Sequence, residues 1–140
     1  MKLKALTLIL TFAFALPGFA AEIMGLVSRD CTVNEMNKGD FKNYFRGKIP
    51  SLGSGAVALY YLPETTDAGK AFFADLGMSQ SAFENMWNEM KLSGKTGATL
   101  TKVASEEEMM EKVKGSGSAL GFVTKQMIAR GNAVKGLVFQ

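Results

Sequence analysis

Apolar residues follow two patterns along this chain, and the alternation between them predicts the fold. Continuous apolar runs of strand length occupy positions 22–28 (EIMGLVS), 56–62 (AVALYYL, bounded by Gly55 and Pro63) and 119–123. Positions 98–103, as a short strand, and 133–139 also read as strands. Between these runs, apolar residues recur at helical spacing. Met36, Phe41, Tyr44 and Phe45 form one such face, and Phe72, Phe73 and Leu76 a second. Phe83, Trp87 and Met90 form a third, and Met109, Met110 and Val113 a fourth.

Residues with capping chemistry bracket each helical stretch. Asn37 with Asp40 three residues later reads as a capping box, and Gly47 followed by Pro50 reads as the stop. Thr65, Thr66 and Asp67 open the second helix, which ends at Gly77. Ser79 or Ser81 opens the third, with Ser81 and Glu84 at capping-box spacing. Ser105 followed by Glu106, Glu107 and Glu108 is the clearest start, since the helix macrodipole favours acids in the first turn. A short helix is predicted at 125–129, and turns or loops at 51–55 and 93–97. Strands alternating with helices, and apolar runs that do not alternate in polarity, predict a mainly parallel sheet covered on both faces. The chain is therefore expected to form one α/β domain, with no internal repeat and no dividing linker.

The first twenty residues change how the composition is read. Lys2 and Lys4 precede an apolar stretch from Ala5 to Leu16, then Pro17 and Gly18, with Gly18-Phe19-Ala20 offering small residues at the recognition positions. This predicts a secretory signal at 1–20 cleaved after Ala20, a mature domain at 21–140 and a periplasmic destination. A membrane anchor is the alternative, but the apolar stretch is shorter than the roughly 20 residues a span requires. The whole chain of 140 residues carries 16 basic and 13 acidic residues and no His. Removing Lys2 and Lys4 leaves 14 against 13, so the +3 becomes +1 and the charge argument for nucleic acid disappears.

The residue inventory narrows the chemistry. Without His, and with Cys31 as the single Cys, His-activated nucleophiles, Cys/His zinc sites and intrachain disulfides are excluded. Cys31 reads as a partly buried thiol, with pairing between chains as the alternative. Eight methionines beyond Met1 could suit Cu(I), but their places beside other apolar residues favour core filling. The Glu106–Glu108 group with Glu111 could bind a hard cation, yet helix-start chemistry accounts for it. Lys95 beside Gly94 lacks the spacing of a phosphate loop. No catalytic residue, metal site or cofactor is therefore expected, and the chain is not expected to be an enzyme. The remaining candidate is Thr65-Thr66-Asp67, where a strand runs into a helix start. Free helix amides and two hydroxyls there suit a small oxyanion, whereas the residues alone favour a plain cap at Thr66 with Asp67, which would repel an anion, in the first turn.

Several segments taken in order resemble the substrate-binding proteins of phosphate-type ABC transporters. Met36–Lys48, with its Phe45-Arg46-Gly47-Lys48 turn, resembles that family's helix and "F-x-G-K" turn. The strand at 56–62, Ala71-Phe72-Phe73, Trp87 and Leu92-Ser93-Gly94-Lys95 follow in the family's order. Ser105 with its acids and then Gly117-Ser118-Ala119-Leu120-Gly121-Phe122-Val123 complete the likeness, over roughly residues 22–124. The resemblance implies one three-layer lobe of the type II periplasmic-binding-protein fold, where the family has two. In the family the phosphate turn carries Ser-Gly-Thr, and the equivalent stretch here is Thr65–Lys70. The implied ligand contacts are therefore Thr65, Thr66 and Lys70. The implied partners are a small oxyanion, a membrane transporter or other envelope protein, and a second copy forming a homodimer that completes the cleft. No nucleic acid is implied. The rival expectation is an interaction or accessory protein of an envelope complex or sensor that keeps the fold without a ligand.

Overall fold

In a computed structural model, which describes residues 21–139, the apolar runs assemble into a five-stranded sheet ordered β6-β5-β7-β1-β8. Its strands are β1 (Ile23–Ser28), β5 (Ala58–Tyr61), β6 (Thr99–Lys102), β7 (Ala119–Thr124) and β8 (Val134–Gly136). β5 pairs in parallel with both β6 and β7, whereas β1 runs antiparallel to β7 and to β8. Four strands therefore point one way and β1 alone opposes them, giving a mainly parallel sheet. Two small ribbons complete the strands: β2 (Glu35–Met36) with β9 (Val138–Phe139), and β3 (Ser51–Leu52) with β4 (Gly55–Ala56). The proposed signal at 1–20 lies outside the described residues.

Helices form where the caps place them. Asn37 opens α1 (Lys38–Phe45), accepting from the Asp40 amide at 2.7 Å while its own amide group donates to the Asp40 carboxylate at 3.1 Å. α2 (Asp67–Leu76) starts at Thr66 and ends at Gly77, whose φ of 76° is the left-handed conformation glycine supplies. Of the two serines offered for α3 (Gln80–Leu92), Ser79 is the cap, accepting from the Ala82 amide at 3.1 Å. Ser105 caps α4 (Glu106–Lys114), and α5 (Lys125–Ile128) follows β7 directly.

Adjacent residues of β7 show the three layers. Phe122 stacks on Phe72 of α2, with ring centroids 4.3 Å apart and planes 16° off parallel. Gly121 faces the opposite side, where a Cβ would come 2.4 Å from Met109 Sδ of α4. The sheet is thus enclosed between α2 and α4. α3 joins the α2 side through Phe83, and Trp87 donates its indole N–H to the Phe45 carbonyl at 2.8 Å.

Three local expectations needed correction. The run at 56–62 is divided: Ala56 belongs to the β3–β4 hairpin, and the sheet strand begins only at Ala58. Likewise 133–139 breaks at Leu137, where the chain leaves β1 and pairs onward with β2. The Leu137 amide donates to Gly25 and the next amide to Asn34, so successive residues serve different neighbours. Met36, counted on the first helical face, instead forms with Glu35 the two-residue strand β2, too short to carry a periodic signal.

Candidate functional site

Because β5, β6 and β7 are parallel, their carboxyl ends lie at one end of the sheet, and each delivers the chain to a helix start. The caps there are Thr66 for α2, Ser105 for α4 and Thr124 for α5. From β5 the chain moves outward to β6 and then returns across β5 to β7. Strand order reverses at β5, which makes the end of β5 and β7 the topological switch point where open α/β sheets hold ligands.

The expected ligand residues Thr65, Thr66 and Lys70 all lie at this end, but their side chains are committed differently. Thr66 Oγ1 accepts from the Gly69 amide at 3.0 Å and donates to the Pro63 carbonyl at 2.8 Å. Its hydroxyl thus closes the first turn of α2 onto the exit of β5. Thr65 is exposed, and its hydroxyl meets no partner among the described residues. Glu64 and Gln80 pin the turn from the other side: each backbone amide donates to the other's side chain, at 2.9 and 3.2 Å. Lys70 is exposed one helical turn beyond Thr66. The first-turn amides of Asp67 and Ala68 have no intrahelical acceptor, as at any helix start.

Glu106 was read from sequence only as first-turn chemistry, yet its carboxylate accepts from the Thr124 amide. One acid therefore ties the beginning of α4 to the end of β7. No periodicity could indicate this, because the contact spans 18 residues and depends on α4 lying across the sheet. Glu108 performs the expected capping role: its amide donates to Ser105 Oγ at 3.2 Å and its carboxylate accepts from the Ala104 amide at 3.0 Å. Lys125, which follows Thr124, pairs with Glu22 at 2.8 Å, and this contact holds the Glu22 carboxyl below its ordinary range. The switch-point end thus carries Lys70, Lys102 and the Glu22-paired Lys125, set against Glu64, Asp67 and Glu106.

Tyr61, at the end of β5, donates its hydroxyl to Glu84 Oε1 at 2.6 Å, and Gln80 Nε2 donates to the same oxygen at 2.8 Å. Burial, reinforced by the hydrogen bond to Glu84, raises the Tyr61 pKa. The bond from Tyr61, then that from Gln80, lowers the Glu84 pKa. A raised phenol pKa contributes stability that is intact below about pH 10, the ordinary tyrosine value, and is lost as pH rises beyond it. A lowered carboxyl pKa contributes stability present above about pH 4.5 and lost as pH falls further. Tyr61→Phe is expected to flatten the alkaline limb of a stability–pH curve from urea melts, and Glu84→Gln the acid limb. An unchanged alkaline limb in Tyr61→Phe would refute that assignment.

Among the described residues, no group of three or more His, Cys, Asp or Glu is placed to hold a metal ion. Cys31 is a buried free thiol. No described helix is long and apolar enough to cross a membrane. A polar hollow of about 400 Å³, lined by Asp30, Thr32, Ser54 and Ser118 with three glycines, lies at the opposite end of the sheet and contains no basic residue.

Comparison with known proteins places the fold and little else. No protein-family model matches the chain, and no curated protein matches it. Among solved structures, the chain is similar to an ABC-type phosphate transport receptor from Vibrio cholerae, with a TM-score of 0.65 and 14% identity, over 85% of this chain and 46% of that one. It is also similar to a Clostridium perfringens protein described as a phosphate ABC transporter substrate-binding protein with bound phosphate. That match has a TM-score of 0.63 and 11% identity, over 84% of this chain and 44% of the other. The chain thus spans less than half the length of either protein. One is described as a transport receptor and the other as a substrate-binding protein, and what this chain shares with them is the α/β architecture.

Proposed function

We infer that this chain is a non-enzymatic binding module that takes a small oxyanion at the carboxyl ends of β5 and β7. Thr65 and Lys70 contact it through their side chains, and Thr66 holds the turn that presents them, its hydroxyl and its amide both donating to the Pro63 carbonyl. The observation that carries this reading is the convergence of the α2, α4 and α5 starts at the switch point, with Thr65 presented on a pinned turn and its hydroxyl unengaged. The similarity to proteins that handle phosphate supports phosphate as the first oxyanion to test. Because the Thr66 hydroxyl and amide already donate to Pro63, the Asp67 and Ala68 amides, the Thr65 hydroxyl and Lys70 supply the contacts to the anion.

Affinity is expected to be weak for a single chain. One lobe covers one side of a ligand, and Asp67 and Glu106 repel an anion. A second copy, or an envelope partner such as a membrane transporter, completes the enclosure. Export to the periplasm with removal of 1–20 gives the module access to such partners, and mass spectrometry of the exported chain should then find Ala21 at its N-terminus.

Calorimetric titration with phosphate, sulfate and arsenate tests the site. Thr65→Ala is expected to leave the melting curve unchanged and weaken binding by about tenfold, the loss of one hydrogen bond to a charged group. Thr66→Ala is expected to cost about 1 kcal/mol of stability, because it removes the cap. Absence of heat at millimolar oxyanion, with an unshifted melting temperature, would overturn the binding reading. It would favour the rival, an interaction protein without a ligand, which the full engagement of the Thr66 hydroxyl also fits.

A further inference from the structure

Beside the α5 start, a cavity of about 500 Å³ opens between α1, α2, the start of β1 and β9. Its floor is apolar, formed by Phe41, Phe72, Leu137 and Phe139. Val138 stands at its edge with 56% of its surface exposed; among the described residues Leu92 is the other large apolar side chain so exposed. Three lysines border the cavity. Lys125 is engaged by Glu22. Lys38 and Lys42, one turn apart on α1, make no ion pair within 4.0 Å among the described residues. Asp75 is the remaining acid in the lining.

We propose that this cavity binds a single-chain anionic amphiphile, a carboxylate on an unbranched alkyl tail. The tail covers the aromatic floor and the Val138 edge, and the head group sits between Lys38 and Lys42. The volume falls within the range of about 300–1,000 Å³ typical of small-molecule sites, which combine apolar walls with a few convergent polar groups. An inorganic oxyanion would leave the aromatic floor wet. An uncharged hydrocarbon would leave the two lysines unused. An amphiphile matches both features. None of Thr65, Thr66 or Lys70 lines this cavity, so the proposal stands independently of the oxyanion reading.

The test uses the exported chain with decanoate and decanol as probes, displacing a fluorescent fatty acid. Decanoate is expected to bind more tightly than decanol, with affinity rising about fourfold per added methylene along the carboxylate series. Lys38→Gln combined with Lys42→Gln is expected to lower decanoate affinity about tenfold and leave decanol unchanged. Ala71→Leu, at a half-exposed helical position in the lining, is expected to block both probes while retaining the wild-type melt. No displacement by either probe at millimolar concentration would overturn the proposal. So would equal affinity for acid and alcohol, or binding unaffected by Ala71→Leu. Sedimentation with phosphatidylglycerol vesicles, in place of binding to monomeric decanoate, would assign the apolar edge to a lipid surface and likewise overturn it.

Discussion

Gly69→Ala is expected to destabilise the protein by about 3 kcal/mol or more, although alanine is ordinarily the better helix former. A Cβ at position 69 would lie 1.9 Å from the Pro63 carbonyl oxygen, 2.6 Å from its carbonyl carbon and 2.8 Å from the Leu62 carbonyl oxygen. All three are backbone atoms at the exit of β5. They cannot rotate aside as the end of a long side chain could, so α2 must move. Moving α2 breaks the chain of bonds from the Gly69 amide to the Thr66 hydroxyl and from that hydroxyl to Pro63. It also disturbs the turn that presents Thr65. Against a typical total stability of about 5–15 kcal/mol, this one methyl group takes a large share. Urea denaturation of Gly69→Ala, compared with Gly97→Ala, provides the check. A Cβ at position 97 meets nothing within 4 Å, and its replacement is expected to stay within about 0.5 kcal/mol of wild type. Equal midpoints for the two variants would show that α2 does not bear on the β5 exit as described.

The same turn marks where sequence stops being informative. Caps are local, and so they could be read: Asn37 with Asp40, Thr66 with Gly77, and Ser105 with its acids each bound their helices as expected. Apolar runs also identified the strands of the main sheet. Their interruptions could not be read, because a break such as Leu137 is decided by which strand lies alongside, β1 or β2, and not by the residue itself. The candidate site divides in the same way. Thr65, Thr66 and Lys70 were legible as a strand-to-helix junction. Glu106 was not, since its carboxylate matters through the Thr124 amide, which only the packing of α4 on β7 brings within reach. Nor does sequence show that Gly69 is required by a backbone contact at a φ within the normal helical range.

Phe72→Ala is expected to cost about 3–5 kcal/mol, the largest loss from truncating any single aromatic of the core. Phe72 is 2% exposed and touches five rings: Phe122 at 4.3 Å, Phe45 at 4.8 Å, Phe73 at 5.0 Å, Phe83 at 5.9 Å and Phe41 at 6.4 Å between centroids. Those partners belong to β7, α1, α2 itself and α3, so one side chain joins three helices to the sheet. Its neighbour Phe73 touches Tyr61, Phe72 and Phe83, and makes no ring contact with β7 or α1. Phe73→Ala should therefore cost less than Phe72→Ala, although both remove the same atoms from buried positions. The difference between the two measures the value of position within the cluster rather than of area removed. Phe72→Leu restores much of the lost volume but not the stack on Phe122, and is expected to recover more than half of the deficit. A double-mutant cycle of Phe72 and Phe122 should then return a coupling of about 0.5–1.5 kcal/mol. If Phe73→Ala proved the more damaging, or the coupling were near zero, the junction of α2 with β7 would not be what holds the helix start in place at the switch point.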